Sequence, residues 1–158
     1  MAKALVSYYS RSGNTKKMAE DISASLSNEG LDVDVISIEQ VSVDSLVLYD
    51  IFVFGSPTYY GTMAYQVKKL LDESVKLHGK LDGKMGAAFS SAANIGGGNE
   101  TTILDILNTF LIHGMIIQGD PKGDHYGPVS IGVPDERAKG NCQRRGKRIA
   151  ALAKKLFK

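Results

Sequence analysis

Apolar, β-favouring runs alternate with helix-period stretches along this chain from Lys3 onward, and this alternation constrains the fold more than any single motif. The first run, Lys3 to Tyr9, leads into a stretch from Asn14 in which Met18, Ile22 and Leu26 share one helical stripe. Gly30 in "NEG" supplies its C-terminal stop. "LDVDVISI" (Leu31 to Ile38) reads as the second strand, and Gln40 to Tyr49 as a weak connection with a short helix. "DIFVFGS" (Asp50 to Ser56) is apolar at every second position and between, the pattern of a strand buried on both faces. Met63, Val67, Leu70 and Leu71 mark the next helix, and "KMGAAFSS" (Lys84 to Ser91) the fourth strand. Ile103, Leu104, Leu107, Phe110 and Leu111 mark another helix, followed by a short fifth strand, "GMIIQG" (Gly114 to Gly119). A looser stretch runs to Pro134, and a last helix starts near Asp135 with Ile149, Leu152, Ala153 and Leu156 facing inward.

Strands joined by helical crossovers pair in parallel, so the expected architecture is a three-layer, doubly wound α/β fold. Without linker, repeat or low-complexity segment, residues 1–158 read as a single domain. One cysteine, Cys142, excludes a disulfide framework and any cysteine-built metal site, and reads as a packing residue. His78, His113 and His125 are not at ligand spacing, so no metal is expected. Net charge is +2, with a basic run of Arg144, Arg145, Lys147, Arg148, Lys154, Lys155 and Lys158. No aromatic side chains interleave it, so it reads as a solvated helix face rather than a nucleic-acid platform. No apolar run is long enough to span a bilayer and the N-terminus has no leader pattern. Membrane insertion is therefore not expected, and the expected compartment is the cytoplasm.

In a parallel sheet, ligands bind beyond the carboxyl ends of the strands. Three loops there are unusual. After the first strand, Ser10, Ser12, Asn14 and Thr15 offer side-chain donors, Gly13 permits a tight turn, and a helix N-terminus follows: a nest for a phosphate. Neither a Walker loop nor a dinucleotide fingerprint is present. After the third strand, "GSPTYYGT" (Gly55 to Thr62) sets two tyrosines between Pro57 and Gly61, where an aromatic can cover a flat ring. After the fourth, "SSAANIGGGNET" (Ser90 to Thr101) carries three consecutive glycines that let backbone approach a ligand closely. A phosphate nest, an aromatic loop and a close-approach loop on one edge together describe a phosphorylated flat heterocycle, and FMN fits.

At "YYSRSGNT", "GSPTYYG", "FSSAANIGGGNET", "HGM" (His113 to Met115) and "YGP" (Tyr126 to Pro128), the chain resembles the flavodoxin-like family. It is most similar to the branch containing NAD(P)H:quinone oxidoreductases of the tryptophan-repressor-binding-protein type. The resemblance implies a five-stranded parallel sheet of order 2-1-3-4-5 and FMN as cofactor. It implies phosphate binding by Ser10, Ser12, Gly13, Asn14 and Thr15, with Arg11 beside the ribityl chain or facing outward. Pro57, Thr58, Tyr59, Tyr60 and Gly61 would hold one side of the isoalloxazine. Ser90, Ser91, Ala93, Asn94, Gly96, Gly97 and Gly98 would hold its pyrimidine edge and ribityl region. His113, near the flavin edge, is the candidate proton-transfer residue.

Two departures bear on function. The quinone-reductase branch has a longer segment near the fifth strand, where this chain has only Gln118 to Gly127. Classical flavodoxins carry an aromatic in the third loop, where this chain has Ala92, Ala93, Asn94 and Ile95. The first expectation is an electron carrier whose partners are redox proteins. The alternative is an FMN-dependent NAD(P)H:quinone oxidoreductase, with quinone and NAD(P)H as partners. The carrier is preferred because no nicotinamide pocket can be assigned to named residues. A homodimer is left open.

Overall fold

The computed structural model describes residues 1–157, so Lys158 of the basic run lies outside the described residues. Strands β1 (Lys3–Tyr8), β2 (Asp32–Ser37), β3 (Ile51–Tyr59), β5 (Met85–Ala92) and the short β6 (Ile116–Ile117) pair in parallel in the spatial order β2-β1-β3-β5-β6. Two further strands, β4 (Thr62–Met63) and β7 (Val129–Ile131), lie off this path. Helices α1 (Asn14–Asn28) and α4 (Glu136–Leu156) cover one face of the sheet; α2 (Tyr65–Glu73) and α3 (Asn99–Ile112) cover the other. The doubly wound order expected from the sequence is therefore present, with two refinements.

First, the fifth strand is split. Ile116 and Ile117 pair with the start of β5, Met85 and Gly86, whereas Val129 to Ile131 pair with its end, Ser90 to Ala92. The intervening residues leave the sheet and lie against α4. Second, the Gly55–Thr62 segment is not a loop. β3 runs on through Tyr59 and folds back into β4, with Thr58 opposite Met63 and Tyr59 opposite Thr62. Its two turn residues, Tyr60 and Gly61, have φ of 50° and 78°, the left-handed pair that matches the twist of a two-residue hairpin.

Alternation within the strands divides the core. Leu5, Phe52, Phe54 and Ala88 pack toward α2 and α3; Ala4, Val6, Ile51, Val53, Ala87 and Phe89 pack toward α1 and α4. Small residues are required where rings cross the sheet: a side chain at Gly55 would collide with the Phe89 ring, and one at Gly86 with Phe110. Cys142 is fully buried in α4, and burial pushes its thiol pKa up to about 12, so it is an inert packing residue. Ile149 and Ala153 face the core as expected and Leu152 packs against it, but Leu156 is 41% exposed.

The basic run of α4 is not simply solvated. Arg145 is only 3% exposed and its guanidinium donates to the Gln118 carbonyl, while Arg144 makes two 2.7 Å bonds to the Asp120 carboxylate. Arg148 donates to the Gly119 carbonyl. These cations hold the segment that interrupts the fifth strand. None of the helices among the described residues is long and apolar enough to cross a membrane.

Candidate functional site

The carboxyl ends of β1, β3, β5 and β7 meet around a cleft of about 560 Å³, within the usual range for a small-molecule site. It is lined by Arg11, Ser12, Asn14 and Thr15 from the first loop, Pro57, Thr58 and Tyr59 from β3, and Ser91, Ala92 and Ala93 from the third loop. Gly132, just past β7, completes it. The structure thus brings together nine of the residues expected from sequence: Arg11, Ser12, Asn14, Thr15, Pro57, Thr58, Tyr59, Ser91 and Ala93.

The first loop ends at Gly13, which has φ of 94° and precedes α1 without any side-chain cap. Asn14 is therefore not a helix cap, and the first-turn amides of a 15-residue helix have no side-chain acceptor. Ser10 supports the loop from below, its Oγ accepting from the Gly13 amide at 3.1 Å. Thr15 is buried, and its Oγ1 lies 2.9 Å from Ser91 Oγ, a contact that locks the first loop to the third. Neutral donors and a positive helix end face a place where a phosphate can sit.

A second hydroxyl network sets the other wall. Thr58 Oγ1 lies 2.9 Å from Ser90 Oγ and 3.0 Å from Thr102 Oγ1. Ser90 therefore supports Thr58 and does not itself line the cleft. Tyr59 is 38% exposed and packs edge-on against Tyr9, with ring centroids 6.5 Å apart. Tyr60, at the hairpin tip, is fully exposed. The hairpin and the third loop touch directly: a Cβ added at Gly98 would stand 2.7 Å from Gly61 Cα. In the third loop the Gly97 amide donates to the Asn94 carbonyl, and Gly98 precedes α3 with φ of 111°. Gly96 faces a neighbouring pocket of about 370 Å³ together with Ile95, Glu100 and Ile131.

His113 is not at this site. The helix it terminates, α3, begins beside the cleft at Gly98 and runs antiparallel to the strands for 14 residues, about 21 Å at the helical rise. His113 is buried at the opposite edge, next to the start of β6, where its Nε2 lies 2.8 Å from Ser74 Oγ. The candidate proton-transfer role assigned to it is therefore corrected. Sequence reasoning also missed Ala92 and Gly132. The signal for Gly132 is a three-residue β run, "VSI", ended by a glycine, too short to stand out beside the longer strands.

The flavodoxin domain family matches residues 5–101, most of the chain and the span that holds all three loops. The chain belongs to the flavodoxin family. A flavodoxin of Aquifex aeolicus is 37% identical over 95% of this chain and 86% of its own. An NAD(P)H dehydrogenase (quinone) of Archaeoglobus fulgidus is 33% identical over 99% of this chain and 100% of its own. The solved structure of a flavodoxin from the domain Archaea superposes with a TM-score of 0.79 at 32% identity, covering 96% of this chain and 99% of that one.

Proposed function

We propose that this chain binds FMN in the cleft and carries electrons between redox proteins. The residues present fit the group. The uncapped start of α1, with Ser12, Asn14 and Thr15, suits the phosphate; Pro57 to Tyr59 and Ala92 to Ala93 form two walls that suit a flat ring between them. Tyr60, Gly61, Asn94, Gly96, Gly97 and Gly98 set the positions of those walls, and Ser10, Gly13 and Ser90 support them. FMN, when bound, supplies a ring system that takes up and releases electrons. The chain's part is to hold the phosphate with neutral donors, orient the ring between two rigid loops and exclude water from its buried side.

One observation favours a carrier over an enzyme. Among the described residues that line the cleft, Arg11 alone carries a charge, and no histidine, carboxylate or thiol is among them. His113, the group expected to give a proton to a quinone oxygen, is at the far edge. The oxidoreductase reading rests on the likeness to the Archaeoglobus fulgidus protein.

Anaerobic mixing of the FMN-loaded protein with NADH and with NADPH tests the choice. The flavin absorbance is expected to persist with both and to bleach with a low-potential protein donor. Fast bleaching by either nucleotide, followed by quinone turnover, would establish the enzyme instead. FAD as the only flavin retained would overturn the phosphate assignment.

A further inference from the structure

Three side-chain hydroxyls meet behind the Pro57–Tyr59 wall of the cleft, and one of them lines it. Thr58 is half-buried at the cleft surface, whereas Ser90 and Thr102 are fully buried. None of the three sits on a loop. Thr58 is in β3, opposite Met63 of β4; Ser90 is in β5, between Ser56 of β3 and Val129 of β7; Thr102 is near the start of α3. The Asn99 amide also donates to the Ser90 carbonyl at 3.3 Å and to the Ser130 carbonyl at 3.5 Å, which ties β5 to β7 at this level. Regular elements therefore hold the three oxygens in place, and the direction of each proton follows from the acceptors it can reach.

A buried hydroxyl gives its proton to an acceptor inside the protein. Ser90 Oγ has Thr58 Oγ1 at 2.9 Å and otherwise the Ser91 carbonyl at 3.5 Å, the outer limit of a hydrogen bond. Its proton therefore goes to Thr58. Thr102 Oγ1 stands 3.0 Å from Thr58 Oγ1, and of the two it is Thr102 that is oriented to donate. The other acceptor within its reach is the Gly98 carbonyl at 2.9 Å, which already takes the Thr102 amide at 3.0 Å and the Thr101 hydroxyl at 2.9 Å. Both lone pairs of the Thr58 oxygen are then filled from behind. With Ser90 and Thr102 donating, the Thr58 proton is left with the Gly98 carbonyl at 3.5 Å or with the cleft.

We propose that Ser90 and Thr102 are positioning residues: neither lines the cleft, and together they fix Thr58 as a hydrogen-bond donor toward the ring bound there. The wall thereby selects a ring that presents an acceptor at this point, a ring nitrogen or a carbonyl oxygen, over one that presents N–H or C–H. A hydroxyl whose lone pairs are both occupied cannot turn round to accept, so the wrong ring leaves a polar group unpaired. The proposal rests on FMN occupying the cleft. It concerns the ring and not the phosphate, because the first loop is joined to the third by a separate contact, that of Thr15 with Ser91.

Flavin fluorescence titrations of the full chain with FMN and with riboflavin test it. Thr58→Val, Ser90→Ala and Thr102→Val are each expected to weaken both ligands by the same factor, about tenfold. Thr102→Ser keeps the hydroxyl and is expected to bind as the native chain does. Because Ser90 and Thr102 act through Thr58, adding either substitution to Thr58→Val should cost nothing further, a coupling that a purely structural role does not produce. Additive losses in these pairs would overturn the proposal. So would equal losses in Thr102→Ser and Thr102→Val, or single variants that bind as tightly as the native chain. The pair of Ser90→Ala with Thr58→Val carries the test if Thr102→Val fails to fold. A native chain that binds no FMN would overturn the reading of the cleft and this proposal with it, so the native titration tells the two failures apart.

Discussion

Ser74 Oγ stands 2.8 Å from His113 Nε2 and 2.6 Å from the Leu71 carbonyl oxygen. A carbonyl only accepts, so the serine proton points to Leu71 and His113 must donate through Nε2. Its Nδ1 then carries the bare lone pair, buried and without a partner among the described residues. Protonating Nδ1 would place an unpaired charge beside the ring of His78, 6.3 Å away. Burial first, and repulsion from His78 second, hold the His113 pKa below its ordinary 6.5.

A pH dependence of stability follows. The unfolded chain binds a proton at His113 as pH falls through about 6.5, and the folded chain resists, so the unfolded state gains. The stability that neutral His113 contributes is present in full above that pH and lost progressively below it. Urea midpoints at pH 7.5 and 5.5 are expected to fall with pH, and His113→Gln is expected to flatten the difference. The same variant should leave FMN affinity and electron transfer unchanged. A loss of either would return His113 to the flavin site.

Asp120 is the one carboxylate that Arg144 and Arg148 share, and the bonds from Arg144 hold its pKa at about 2. Its contribution is complete above the unfolded value near 3.9 and is lost as pH falls toward 2. Asp120→Ala removes the carboxylate that Arg144 and Arg148 share and is expected to lower the urea midpoint at neutral pH. Limited proteolysis should then cut first between Gln118 and Gly127, since the clamp on that segment is gone.

Thr15→Ala breaks the buried 2.9 Å contact with Ser91 and leaves that hydroxyl unpaired. It is expected to cost about 1–2 kcal/mol of stability and, on the proposed placement of the phosphate at the first loop, to weaken FMN binding more than riboflavin binding. Flavin fluorescence titrations with both ligands measure the difference. Equal losses would remove the phosphate from this loop.

Tyr60 holds a left-handed conformation that suits asparagine better than an aromatic. Tyr60→Asn should raise stability by about 1 kcal/mol. If the strain serves the bound ring, the same change shifts the flavin potential, which a spectroelectrochemical titration reads. Gly98→Ala acts in the opposite direction. It pushes a Cβ against Gly61 and is expected to lower FMN affinity about tenfold by separating the hairpin from the third loop.

Local patterns in the sequence settled the order of the main strands and helices and located the three segments that line the cleft. Apolar periodicity and the small donors in "SRSGNT" are properties of neighbouring residues, and α1 starts at Asn14 and is closed past Asn28 by Gly30 as those patterns require. Tertiary structure decided what depends on residues distant in the chain. β3 extends to Tyr59 because β4 and β5 are there to pair with it. The fifth strand divides because Asp120 is drawn to Arg144 on α4, 24 residues away. Arg145 is buried because the Gln118 carbonyl lies in reach of it. His113 sits where it does because a crossover helix must return to the amino edge of a parallel sheet, a consequence of topology that no motif around the histidine can express.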